Sequence, residues 1–164
     1  VTGVTLKGHV HWMNKSPISP TSLCTIQLRP GRPAAPVLAG GKEMTVPTSR
    51  DVLEGFLSAL EAHGARQAFE QYAVEDYVQH NAKAGEGREG AIAYLEEEAV
   101  RGGRATVKRI ISDGEMVALH LHMEFADGSP DLAIVDIWRV EKGRLAEHWD
   151  VSQEISKTST SVVF

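Results

Sequence analysis

Two tight-turn signatures in the last third of the chain constrain its fold most strongly. Ala105–Ser112 and Glu115–Phe125 flank Asp113-Gly114, while Leu132–Val140 and Arg144–Ser152 flank Glu141-Lys142-Gly143. Asp-Gly tolerates positive φ at both centres of a two-residue hairpin, and a three-residue loop takes glycine in its left-handed position. The flanking runs are rich in Val, Ile, Leu and aromatic residues, so they predict a four-strand antiparallel meander. Upstream the period changes. Thr48 is placed as an N-cap with Asp51 three residues on, and Val52, Leu53, Phe56, Leu57 and Leu60 recur at helical spacing until Gly64. A second helix is expected over Ala65–Tyr72. A third runs from about Arg88 to Arg101, burying Ile92, Leu95 and Ala99 and leaving Glu96-Glu97-Glu98 as a solvated face. Tyr77–Gly87, YVQHNAKAGEG, reads as a short strand or turn and a loop. Helices followed by a meander predict an α+β fold, with about three helices covering one face of a curved antiparallel sheet.

The 164 residues suffice for one domain with a real core. Composition changes near residue 47, where a stretch containing Pro17, Pro20, Pro30, Pro33, Pro36 and Pro47 ends. Proline removes a backbone donor, so residues 1–46 are expected to be a loosely ordered extension, of which residues 1–43 are expected to be dispensable for the fold. VTLKGHVHW (Val4–Trp12) alternates weakly and could add an edge strand. The domain is then residues 47–156, with 157–164 as a tail. A net charge of −5 argues against a nucleic-acid surface. The single cysteine, Cys24, excludes an intrachain disulfide and fits a reducing compartment. No run approaches the roughly 18 apolar residues of a membrane span, so a cytoplasmic protein without a membrane partner is expected.

VDIWRVEKGRLAEHWDV (Val135–Val151) is unusual in placing Asp136, His148 and Asp150 among Val, Ile, Leu and Trp. If Val140 pairs with Arg144, Asp136 falls opposite His148 and Ile134 opposite Asp150. His148 and Asp150, two apart, share a face. The three then cluster, while Val135, Ile137, Leu145 and Trp149 take the other side. In the first hairpin Ser112 opposite Glu115 puts His120 across from Val107 and His122 across from Ala105. Both faces of this sheet carry apolar residues. Either the outer face is a homodimer interface, or the inner face is a partly polar cavity, or both.

The order of elements, with YVQHN, GREG, DGEMVALHLH, VDIWRVEKGRLAEHWD and the following Gln153, resembles the SnoaL-like proteins. These belong to the nuclear-transport-factor-2-like superfamily of cone-shaped α+β domains, with ketosteroid isomerase and limonene epoxide hydrolase. The likeness spans roughly Thr48–Ile155. It implies a deep pocket lined by the concave sheet, and cofactor-free removal of a proton beside a carbonyl, as in aldol condensation or isomerisation of a hydrophobic substrate. It also implies catalytic roles for Asp136, His148, Asp150 and His80, the histidine of QHN. Asp150 or Asp136 would be the base, His148 would orient or share its proton, and His80 with His120 would donate to the substrate oxygen. Tyr77 would supply a hydroxyl, with Trp138, Phe56 and Tyr94 lining the substrate pocket. Arg139 lies out of phase with Asp136, so the same-face pair of a limonene-type epoxide hydrolase is not evident. Two other readings stay open: a non-catalytic pocket for a small hydrophobic ligand, and a metal site built from His80, His120, His148 and Asp150, whose spacing matches no zinc pattern.

Overall fold

The computed structural model describes residues 25–27, 46–156, 158 and 163–164. Val4–Trp12, most of the expected extension and most of the expected tail lie outside the described residues. The elements run β1 (Thr25–Gln27), α1 (Ser49–His63), α2 (Ala65–Tyr72), β2 (Ala73–Gln79), α3 (Gly87–Val100), β3 (Arg104–Asp113), β4 (Met116–Glu124), β5 (Leu132–Glu141) and β6 (Arg144–Glu154). They form the expected α+β fold.

α1 begins where the sequence places its cap. Thr48 Oγ1 accepts from the Asp51 backbone N–H at 3.2 Å, and Asp51 Oδ2 accepts from the Thr48 N–H at 2.9 Å. This reciprocal box satisfies two donors that the helix cannot. Thr48→Ala is expected to cost about 1 kcal/mol in urea unfolding. Gly64, at φ 85°, ends α1 and starts α2 with a reversal that a Cβ would strain. The apolar faces of α1 and α2, including Leu53, Phe56 and Phe69, pack against one side of the sheet with Ile92 of α3.

The sheet order is β1-β3-β4-β5-β6-β2, with β3 to β6 an antiparallel meander. β2 pairs parallel to β6, and β1 pairs parallel to β3. Both hairpin registers differ from the sequence reading. The first turns at Gly114-Glu115, with Asp113 opposite Met116. Gly114 has φ 56°, whereas Glu115 is not left-handed, so the turn is the type that takes glycine first rather than second. The shifted turn alone sets His120 opposite Arg109 in place of Val107, and a bulge at Lys108 then sets His122 opposite Thr106 in place of Ala105.

The second turn has two residues rather than three, because Lys142 (φ 49°) and Gly143 (φ 76°) are both left-handed. Glu141 therefore faces Arg144, and a bulge at Ala146 adds one more step. The two steps sum to an even shift. Asp136 faces Asp150, and Trp138 faces His148, yet the three polar groups keep one common face. Leu145 moves to the core side, opposite Val140, and is fully buried rather than outward.

Candidate active site

The concave side of β3 to β6 and the three helices enclose a cavity of about 110 Å³. Most of its wall is apolar, with Phe56, Leu57, Phe69, Leu119, Leu121 and Ile134 prominent. One end is polar. There Asp136 and Trp138 project from β5, His148 and Asp150 from β6, Tyr77 and Gln79 from β2, and Asn81 from the following loop. The alternation of each strand delivers these side chains, and the parallel pairing of Gln79 with His148 brings β2 to them.

The contacts are specific. His148 Nε2 lies 3.2 Å from Asp136 Oδ1, and Nδ1 lies 2.9 Å from Gln79 Oε1. Gln79 Oε1 also accepts from the Asn81 backbone N–H at 2.9 Å. Asn81 Nδ2 donates to Asp150 Oδ2 at 2.6 Å. The Trp138 indole covers the His148 ring at 4.8 Å. Burial raises the Asp150 carboxyl above the ordinary carboxylate range, and the charge of facing Asp136 raises it further. His148 and the Asn81 donor act the other way.

Tyr77 is buried, and its hydroxyl has no hydrogen-bond partner among the described residues. Burial pushes its phenol well above the usual value, so it remains a proton donor. A buried hydroxyl without a partner costs the fold about 1 kcal/mol or more. Tyr77→Phe is therefore expected to leave thermal stability unchanged or higher, which differential scanning calorimetry would read. Burial likewise raises the Tyr94 phenol, with Glu98 adding to it. Glu98 is not part of a solvated face. It is buried at the cavity wall, where Arg101 holds both its oxygens at 2.9 and 3.0 Å while also binding Asp127 and Ser129.

Seven of the expected site residues meet at the cavity: Phe56, Tyr77, Tyr94, Asp136, Trp138, His148 and Asp150. His80 and His120 do not. His80 follows Gln79 by one residue, so strand parity turns it outward; it stacks on Trp149 at 5.0 Å and contacts Glu147 Oε1 at 2.9 Å. His120 alternates with inward Leu119 and Leu121, and lies on the outer face beside Arg109 and Phe164. His122 shares that face, with Nε2 3.1 Å from Asp131 Oδ2. Neither His80 nor His120 lines the cavity that holds the other expected site residues. The four residues of the metal reading do not converge, and among the described residues no group of three or more His, Cys, Asp or Glu is arranged to hold a metal ion. Gln79 and Asn81 were not among the expected site residues. Gln79 lies two residues from Tyr77, so strand period alone puts both on one face.

A cone-shaped α+β domain with an acidic group at the end of an apolar pocket is the class defined by this geometry. Residues 53–148 match the SnoaL-like domain, and the chain belongs to that family. Among curated proteins no sequence match is found. Solved structures share the fold. IdmH from Streptomyces antibioticus, provisionally described as a polyketide cyclase, is 23% identical with a TM-score of 0.51, covering 63% of this chain and 91% of that one. A protein from Kribbella flavida, provisionally described as a ketosteroid isomerase, is 18% identical with a TM-score of 0.56, covering 69% and 83%. An NTF2-like protein of unknown function from Cytophaga hutchinsonii is 19% identical with a TM-score of 0.53, covering 67% and 94%. No helix among the described residues is long and apolar enough to cross a membrane.

Proposed function

We propose that the protein removes a proton beside a carbonyl of a small hydrophobic substrate without a cofactor, driving an isomerisation or an intramolecular aldol condensation. One observation carries this reading: two carboxylates oppose each other across β5 and β6 in a largely apolar cavity, each with a different partner. Asp136 is tied to His148, and Asp150 to Asn81. Environments that separate two carboxyls in this way set up one as acid and the other as base.

Asp150 takes the C–H proton, and the electron pair moves into a carbon–carbon double bond as the carbonyl oxygen gains charge. Asp136, with the proton it shares with His148, donates to that oxygen. In an isomerisation Asp150 returns its proton at another carbon. In an aldol step the enol carbon attacks a second carbonyl of the same molecule, whose oxygen takes the proton from Asp150. In both cases the first carbonyl re-forms, and its oxygen returns the donated proton to Asp136. His80 and His120 have no part in these steps.

The test is deuterium incorporation from D2O into a panel of cyclic ketones, enones and 1,3-dicarbonyls, read by mass spectrometry for wild type and Asp150→Asn. Faster incorporation by wild type alone is expected. Equal incorporation by the two proteins would overturn the assignment. Ligand retention without exchange would favour the second reading, a binding pocket, which the apolar wall also suits. Homodimerisation is part of the proposal, since the outer sheet face exposes Val151 and Ile111 beside half-buried Val135, Ile137 and Trp149. Sedimentation equilibrium would measure it.

A further inference from the structure

The hydrogen-bond pattern around His148 determines where its protons sit. The Asn81 backbone N–H can only donate, so the Gln79 side-chain atom 2.9 Å from it is the amide oxygen. That same oxygen lies 2.9 Å from His148 Nδ1. An amide oxygen cannot donate, so Nδ1 carries a hydrogen. A neutral imidazole then has a bare Nε2, which faces Asp136 Oδ1 at 3.2 Å. Two lone pairs do not hold that position in a buried site. One more proton must lie between the two groups, either as imidazolium with carboxylate or as imidazole with carboxylic acid.

We infer that Gln79 is a positioning residue which, anchored by the Asn81 backbone, fixes the His148 tautomer and obliges the His148–Asp136 pair to hold a proton. The inference rests on the proposed acid–base role of this site and supplies the origin of its acid. Without the Gln79 oxygen, His148 can place its single hydrogen on Nε2 and donate to an ionised Asp136, a state with no proton to give. With it, the pair is a proton store whose reach into the cavity is through Asp136, because both ring nitrogens of His148 are engaged. The other charged or titratable groups on the cavity wall with the pair are Asp150 on β6, Tyr77 on β2, and Tyr94 and Glu98 on α3, while exposed Lys83 in the loop after β2 acts by its charge on Asp150.

The test needs no substrate, so it is independent of whether the exchange reaction is found. Long-range nitrogen–proton NMR of the full chain reports which ring nitrogens of His148 are protonated, with His148→Gln providing the assignment. Wild type at neutral pH is expected to show a protonated Nδ1 and an Nε2 that is either protonated or a hydrogen-bond acceptor. Gln79→Leu is expected to move Nδ1 to the unprotonated end of the imidazole range and leave the hydrogen on Nε2. Gln79→Glu, which still accepts from both partners, is expected to retain the wild-type pattern. A wild-type His148 with a bare Nδ1 would overturn the inference, whatever the behaviour of the variants. So would a Gln79→Leu protein whose ring matches wild type. If Gln79→Leu fails to fold, the wild-type and Gln79→Glu spectra decide.

Discussion

Replacing His148 with leucine is expected to destabilise the protein by about 3 kcal/mol, and replacing Asp136 with leucine as well should recover most of that loss. The side chains of Asp136 and His148 are only 15% and 9% exposed. Removing the ring leaves a buried carboxylate whose sole side-chain partner among the described residues has gone. Desolvation of the remaining charge dominates, because Coulomb attraction no longer offsets it. Gln79 keeps the Asn81 N–H, so little else is broken. With both groups replaced, no unpaired charge of this pair stays buried, and the penalty disappears. Urea unfolding of the two single variants and the double variant, at constant m, measures the coupling. Two single losses that simply add would mean that the groups do not interact as a pair.

Asp150→Asn should lower exchange turnover by about 100-fold or more, the usual scale for a missing general base, and should stabilise the fold at neutral pH. The sign of the second effect follows from the raised folded-state pKa. Between the unfolded value, about 3.9, and the higher folded value, the native state holds more proton than the unfolded chain. Stability contributed by this group therefore falls as pH rises through that window and stays lower above it. Asparagine carries no charge to desolvate and no repulsion from Asp136, so the variant gains on wild type as pH rises. Below about pH 3.9 the gap should close. Thermal unfolding of both proteins from pH 3 to 8 measures it, and equal transition temperatures at pH 7 would contradict the burial of this charge. A group that weakens the fold while serving the reaction fits the usual trade between stability and activity.

Much of this was legible in the sequence because local physics set it. Thr48, Asp51 and Gly64 bound α1 by capping chemistry, and the glycines after Asp113 and Lys142 forced the hairpins. The face shared by Asp136, His148 and Asp150 survived an error in register because the shorter turn and the Ala146 bulge moved the pairing by two residues, which preserves parity. His120 failed for the complementary reason. β4 carries Leu119 and Leu121 on one face and Ala118, His120 and His122 on the other, and only the packing of α1 and α2 decides which looks inward. His80 and Gln79 are neighbours, so the choice between them rested on the pairing of β2 with β6, a contact between residues 69 apart. Glu98 read as solvated because its partner, Arg101, also reaches the distant Asp127 and Ser129.

Titration of the aspartate side-chain carboxyls by carbon-13 NMR, with Asp136→Asn and Asp150→Asn providing the assignments, tests the acid–base cavity most directly. Asp150 is expected to titrate above the ordinary carboxylate range and to move down when Asp136 loses its charge. A midpoint within that range, unaffected by Asp136→Asn, would show that the two carboxyls neither share a buried site nor differ in role.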